Sequence, residues 1–80
     1  MARRAMTPDE AVLAVLRDAG GPLHWTAIQD RALRGGLLDP FEIRDVRSAV
    51  LGALRDLAAA GAVTRVSTGT WRLADPAYGR

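Results

Sequence analysis

Arginine supplies all eleven basic side chains of this 80-residue chain, and its spacing within residues 40–60 indicates a binding surface. At the helical rotation of about 100° per residue, this segment separates its side chains onto two sides. The apolar side comprises Val46, Ala49, Val50, Ala53, Leu54 and Leu57. The opposite side comprises Arg44, Arg47, Ser48, Leu51 and Arg55. Because this second group contains no carboxylate, the sequence predicts a helix that carries uncompensated positive charge outward.

Catalytic and metal-binding chemistry are not indicated by the residue types. The chain has no cysteine, which excludes a disulfide framework, a thiolate metal site and a thiol nucleophile. His24 is the single histidine, and its Pro-Leu-His-Trp context favours packing or a local hydrogen bond over catalysis. The carboxylates of Asp9, Glu10, Asp39 and Glu42 occur where helices are expected to start, as capping residues do. We therefore predict no enzymatic activity, no metal, no cofactor and no small-molecule ligand.

The overall charge and hydropathy say little about the class of partner. The formal net charge is only +2, so an argument for binding depends on where the arginines lie. The longest apolar run, at 11–16, is far shorter than the roughly 20 residues that span a bilayer. Residues 1–6, "MARRAM", carry two arginines without a following apolar region as long as that of a signal peptide, and we interpret them as a basic arm. These features predict one domain without a membrane span, located in the cytoplasm.

Three predicted helix starts have the same sequence pattern. In each, a capping residue is followed three positions later by an acidic or amide side chain. The first is Thr7-Pro8-Asp9-Glu10, the second is Thr26 with Gln29, and the third is Asp39-Pro40-Phe41-Glu42. Glycines at 20–21, 35–36 and 61 are expected to end the three helices. Helix three is predicted over about 40–60. The alternative is that its first turn forms a short element separate from the rest of the helix. The segment 22–25 is expected to be extended.

The segment "LAAAGAVTRVSTGTWRL" predicts a β-hairpin after helix three. Its strands are expected near 62–66 and 70–73, and the alternation of Trp71 and Leu73 with polar residues places these two side chains in the core. Val63 is the expected inward residue of the first strand. Val66 breaks the alternation and indicates a twist or bulge. The residues expected to face a nucleic-acid backbone are Arg65, Ser67, Thr68 and Arg72.

The order of three helices followed by a hairpin is that of a winged helix-turn-helix. The segments "AVLAVLRDAGGPLHWTAIQDRALRGGLL" and "VRSAVLGALRDLAAAGAVTRVSTGTWRL" resemble the HARE-HTH type of this fold. That type is found in the delta subunit of bacterial RNA polymerase, in chromatin proteins and fused to restriction endonucleases. The resemblance covers about residues 7–73 and is most specific at 22–28 and 69–73. It implies a DNA-associated bacterial module that serves transcription regulation, restriction or defence.

These observations predict a mainly α protein of the α+β class, with a winged helix-turn-helix domain at 7–73 and a tail at 74–80. The expected partner is duplex DNA, with helix three in the major groove and the hairpin at 62–73 on the backbone. The predicted DNA-binding residues are Arg44, Arg47, Ser48, Leu51, Arg55, Arg65, Thr68 and Arg72. The alternative is a protein-interaction module, for instance on RNA polymerase or a partner subunit, in which Leu37 and Leu51 join the arginines on an acidic partner. A homodimer is also left open.

Overall fold

Three α-helices and a three-stranded antiparallel sheet make up residues 6–74, which are the residues that the computed structural model describes. The elements in chain order are α1 Pro8–Ala19, β1 Leu23–His24, α2 Trp25–Arg34, α3 Val46–Ala59, β2 Val63–Ser67 and β3 Thr70–Leu73. This confirms the predicted α+β class with three helices and a hairpin. Apart from Met6 and Ala74, the predicted basic arm and tail lie outside the described residues. Within that part of the chain, no helix combines the length and apolar character needed to cross a membrane.

Helix α1 begins as predicted. The Thr7 hydroxyl accepts a hydrogen bond from the Glu10 amide (3.2 Å), and the Glu10 carboxylate accepts one from the Thr7 amide (2.9 Å). This reciprocal pair satisfies two amides that have no partner within the helix. The helix ends at Gly20, whose amide donates to the Leu16 carbonyl and whose φ of 75° turns the chain out of the helix. The sequence therefore determines both ends of α1 locally.

Helix α2 begins one residue earlier than Thr26, and the prediction of Thr26 as its cap was wrong. His24 is the N-cap, and its Nδ1 accepts a hydrogen bond from the Thr26 amide at 3.3 Å. The reason is that His24 is extended (φ −70°, ψ 149°) and pairs within the sheet, so strand β1 runs directly into α2. The Gln29 Oε1 atom is buried and has no hydrogen-bond partner among the described residues. On the exposed side of α2, Arg34 forms an ion pair with Asp30 at 3.2 Å.

Helix α3 begins at Val46, so the prediction of a helix over about 40–60 was wrong at its start. Asp39 instead closes a single turn, in which the Glu42 and Ile43 amides both donate to its carbonyl at 3.1 and 3.0 Å. Asp45 then provides the N-cap, with extended torsions of φ −130° and ψ 93°. An extended residue interrupts the helical backbone, so the first turn is a separate piece.

The sheet has the strand order β1-β3-β2, with β3 in the centre. In the register of β2 against β3, Val63 lies opposite Leu73, and Arg65 lies opposite Trp71. Directly opposed residues project on the same side of a sheet, so these four share one face. Val63 is 3% exposed and Trp71 packs against the core, which confirms their predicted inward positions.

An irregularity between Arg65 and Ser67 interrupts the register of β2. Val66 lies in this interruption and is 45% exposed. A bulge inserts one residue without a partner into the ladder and redirects its side chain. The structure thus confirms the bulge that the broken alternation indicated.

The hydrophobic core joins all three helices to the first residue of β2. Its buried residues are Ala11, Val12, Val15, Leu16, Ile28, Ala32, Leu38, Val50, Ala53, Leu54, Leu57 and Val63. Leu38, in the connection between α2 and α3, is 2% exposed. Ile43, from the same connection, packs against the core as well. Both ends of the isolated turn are therefore held by apolar contacts.

The hairpin turn lies against the junction of β1 and α2. The Trp25 amide donates to the Gly69 carbonyl at 2.8 Å. Gly69 has a φ of +77°, and a Cβ atom at this position would lie 2.6 Å from Nε2 of His24. The turn thus needs glycine for two reasons, the backbone conformation and the close approach of a side chain.

We expect Gly69→Ala to destabilise the domain more than Gly36→Ala. Both glycines have positive φ, but a Cβ at Gly36 would meet no atom within 4 Å. Each substitution carries the cost of a left-handed residue, roughly 1–2 kcal/mol. Only Gly69→Ala also displaces His24, which caps α2. Urea unfolding of the two variants measures the difference, and equal losses would contradict the proposed role of the His24 contact.

Candidate functional site

The N-terminal end of α3 packs beside the start of α2. The guanidinium carbon of Arg47 lies 5.6 Å from the centroid of the Trp25 ring, within the distance of a cation–π interaction. Arg47 is exposed, whereas Trp25 is half-buried and packs against the core. The indole is therefore a fixed support on which a solvent-facing guanidinium is held.

The hairpin turn extends this arrangement. Because the Trp25 amide is bonded to the Gly69 carbonyl, the turn is fixed next to Trp25. Thr68, which precedes Gly69, is exposed. We call the combination of Trp25, Arg47, Ser48 and Thr68 the α3 N-terminal surface. It brings together three of the predicted site residues and one residue, Trp25, that was not among them.

A carboxylate also lies at this surface, so the expectation of an outer face free of acids was wrong. Asp45 accepts hydrogen bonds from the Ser48 amide at 3.1 Å and from the Ser48 hydroxyl at 2.8 Å. The bond from the Ser48 amide, helped by that from its hydroxyl and by the charge of Arg47, lowers the pKa of Asp45 despite partial desolvation. The helical spacing concealed this contact, because Asp45 is a cap with extended torsions and not a residue of the helix.

We expect Asp45 to contribute to the pH dependence of stability. Its pKa is lower in the folded protein than the ordinary value of 3.8, so its contribution is complete above that value. The contribution is lost as the pH falls below about 4, because the unfolded chain then binds the proton more readily. Asp45→Asn retains a capping oxygen that does not titrate. Thermal unfolding between pH 6 and pH 3, run at about one-unit steps, should show a shallower decline for this variant, and identical curves would contradict the assignment.

The other predicted residues of helix three extend the surface along the helix axis. Arg55 is exposed and Leu51 is half-buried. Arg55 follows Arg47 by eight residues, which at 1.5 Å per residue corresponds to about 12 Å along the axis. Arg44 is exposed but precedes α3. The outer side of α3 therefore carries two arginines, with a third in the loop before the helix.

The two hairpin arginines lie apart from each other. Arg65 is opposite Trp71, on the face of the sheet that includes Val63, whereas Arg72 is opposite Thr64 on the other face. The Arg72 side chain donates from Nη1 to the Leu73 carbonyl at 3.3 Å. It also lines a groove of about 380 Å³ at the end of α1. The structure does not place Arg72 on the α3 N-terminal surface.

Sequence reasoning missed the contributions of Trp25, His24 and Asp45. Trp25 and Arg47 are 22 positions apart, so no helical or strand periodicity relates them. The sequence predicts Trp25 in an extended segment before the helix, so no local pattern marked it as the first residue of α2. In the part of the chain that the structure describes, no group of three or more histidine, cysteine or acidic side chains is arranged to hold a metal ion.

Comparisons of the chain with models of protein families, with curated proteins and with solved structures found no match. The HARE-HTH resemblance therefore stays a prediction. Any functional interpretation rests on the geometry described above.

Proposed function

We propose that this domain is a winged helix-turn-helix module that binds duplex DNA. In this proposal α3 is the recognition helix, and the β2–β3 hairpin is the wing that contacts the backbone. The observation that carries the proposal is the exposed Arg47 guanidinium held on Trp25 beside the hairpin turn. This arrangement makes the start of α3 and the turn one continuous surface.

The order of the elements supports the proposal. Residues 35–45, which include the isolated turn at 39–42, join α2 to α3, and the hairpin follows α3. The order of elements is that of a helix-turn-helix, in which the second helix enters the major groove. Helix α3 has 14 residues, or about 21 Å at 1.5 Å per residue. With its side chains a helix is about 10–12 Å across, which fits the major groove of about 12 Å width.

The contact with Trp25 suits Arg47 to recognition. When the face of a guanidinium stacks on an aromatic ring, its N–H donors still point outward from the edge. These donors can form paired hydrogen bonds with a phosphate or with O6 and N7 of guanine. The indole restricts the rotamers of Arg47 before binding, which lowers the entropy cost of each contact. Trp25 is then a positioning residue for Arg47.

The remaining residues have different expected roles. Arg55 and Arg44 extend the positive charge on either side of Arg47, and Thr68 supplies a hydroxyl from the turn. Arg65 is exposed in β2 and is a candidate phosphate contact. The position of Arg72 in the α1 groove gives it no comparable support. A role in transcription regulation or in restriction rests on the HARE-HTH resemblance alone.

A second candidate, a protein-interaction module, is favoured by Asp45. A carboxylate at the start of α3 opposes the approach of a phosphate, and it lies within the same surface as Arg47. Leu51 is half-buried on the outer side of α3 and would be the apolar anchor of such an interface. The two candidates differ in how their affinity should depend on salt.

Titration of the protein with a random-sequence duplex at two salt concentrations tests the proposal. If the protein makes three phosphate contacts, raising the salt from about 50 to 200 mM should weaken binding roughly 40-fold, because each contact contributes about 0.9 to the salt slope. Fluorescence anisotropy of a labelled duplex measures this change. Micromolar-or-weaker binding without dependence on salt would favour the protein-interaction candidate.

A further inference from the structure

The turn between α2 and α3 presents a fully solvent-exposed aromatic side chain. Phe41 is 97% exposed, although its backbone is well fixed. Its amide donates to the Asp39 carboxylate at 2.9 Å, and the buried Leu38 and the packed Ile43 hold the two ends of the turn. The phenyl ring is therefore presented at a defined position on the surface.

Two carboxylates accompany this ring. Asp39 and Glu42 flank Pro40 and Phe41 in what we call the Phe41 loop, residues 39–42. Among residues 6–74 the only ion pair joins Arg34 to Asp30, so neither carboxylate has a cationic partner there. The loop thus combines one apolar anchor with two negative charges.

A groove with complementary properties lies elsewhere on the domain. We call it the α1–β3 groove. Its volume is about 380 Å³, and it is lined by Leu16, Arg17, Gly20, Gly21, Pro22, Arg72 and Leu73. The exposed Pro22 and the half-buried Leu73 contribute apolar surface, while Arg17 and Arg72 contribute the only charges. Neither arginine has an acidic partner among the described residues. The volume falls within the roughly 300–1,000 Å³ of small-ligand pockets, so a phenyl ring can enter.

The loop and the groove of one molecule lie toward opposite ends of α2, because the Leu37 and Leu38 amides donate to the Ala32 carbonyl and hold the start of the loop at the C-terminal end of this helix. The groove includes Pro22, just before β1 and α2, whereas the loop follows the opposite end of α2. The ten residues of α2 separate these ends by about 15 Å. A contact between the two features therefore needs a second molecule.

We propose that the Phe41 loop of one copy binds in the α1–β3 groove of another copy. The phenyl ring packs on Pro22 and Leu73, and Asp39 and Glu42 approach Arg17 and Arg72. The two surfaces are different, so the contact is heterologous and leaves a free loop and a free groove for further copies. The α3 N-terminal surface takes no part, and the proposal does not depend on DNA binding.

The association should be weak, because it uses one aromatic anchor and charge pairs that are partly exposed to solvent. We expect a dissociation constant between about 10 µM and 1 mM. Sedimentation velocity without DNA, at low salt, measures it. The sedimentation coefficient of the wild type should rise with concentration across this range. Phe41→Ala and the double variant Arg17→Glu/Arg72→Glu should each sediment as monomers.

Mixing the two variants gives the sharper test. Phe41→Ala keeps an intact groove, and the double variant keeps an intact loop, so an equimolar mixture should form a heterodimer that neither variant forms alone. Circular dichroism shows whether the double variant folds, since Arg72 is half-buried. If it does not fold, the single variant Arg17→Glu takes its place in the mixture. Val66→Ala removes another exposed apolar side chain and should associate like the wild type.

Several results would overturn the proposal. These are a wild type that stays monomeric up to about 1 mM, self-association that persists in Phe41→Ala, and a mixture that does not form the heterodimer. A Val66→Ala variant that loses association as Phe41→Ala does would also overturn it. Duplex affinity, measured separately below the association range, should be the same for Phe41→Ala and the wild type, so failure here leaves the DNA proposal intact.

Discussion

Trp71→Ala should destabilise the domain by roughly 3–5 kcal/mol, the usual cost of removing a large aromatic side chain from a core. Trp71 lies in the central strand, where it is opposite Leu23 of β1 and Arg65 of β2. Its loss removes apolar contact from both pairings at once. A domain of this size has a total stability of about 4–12 kcal/mol, so the substitution should remove a large fraction of it.

Trp71→Phe is the matched control. The Nε1 atom of Trp71 is buried without a hydrogen-bond partner among the described residues, so its removal relieves an unsatisfied donor while most of the apolar surface is kept. We expect a much smaller loss than for Trp71→Ala. Chemical denaturation followed by circular dichroism measures both. A nearly unchanged midpoint for Trp71→Ala would show that this side chain does not support the core.

Replacing Arg44, Arg47 and Arg55 together with alanine should remove most duplex binding at physiological salt. If each arginine contacts one phosphate, the salt slope should fall by about one unit per residue, three in all. A guanine contact by any of them would in addition relax sequence preference by roughly 1–3 kcal/mol. Affinity should fall at least about tenfold, while the helical circular dichroism spectrum stays that of the wild type.

The control is a second triple variant, which loses the same amount of positive charge from α1 and α2. Arg17, Arg31 and Arg34 are exposed on α1 and α2, and their replacement by alanine should weaken duplex binding much less. Equal weakening by both triple variants would indicate a general effect of net charge. Under the protein-interaction alternative, Leu51→Glu should abolish partner binding, and the triple change on α3 should leave an already weak duplex affinity unaltered.

The sequence predicts those parts of the fold that neighbouring residues decide. The ends of α1 follow from Thr7, Glu10 and Gly20. Each of these residues makes its capping contact with a residue no more than four positions away. The hairpin follows from the alternation around Trp71 and from the break at Val66. In each case the local pattern and the tertiary packing favour the same backbone conformation.

The starts of α2 and α3 could not be predicted in this way, because the residues that match the local pattern are not the residues that cap these helices. Asp39 matches the pattern with Glu42 three positions later, whereas Asp45, the cap of α3, has Ser48 at that position. The choice depends on the packing of Leu38 and Ile43, which holds the intervening turn as a separate unit. Similarly, His24 replaces Thr26 as the cap because β1 pairs with β3, a contact that spans 46 positions from His24 to Thr70.

In the candidate site, too, the sequence predicts what local spacing decides and misses what tertiary contacts decide. Helical spacing placed Arg47, Leu51 and Arg55 on the outer side of α3, where the structure has them exposed or half-buried. It could not relate Arg47 to Trp25, because two different helices bring them together. The prediction of a helix over about 40–60 also included Asp45, although this residue lies outside α3.

The strand order β1-β3-β2 has a consequence for the timing of folding. Strand β1 is made early in synthesis, but its only partner in the described sheet is β3, the final strand. The helix contacts of α1 with α2 and α3 are available once residue 59 has left the ribosome, whereas both strand pairings wait for residue 73. Local helical contacts also form faster than pairings between distant segments. A nascent chain that stops at Gly69 would therefore hold three helices with no ladder to join them, and Trp71 would be the side chain that completes the domain.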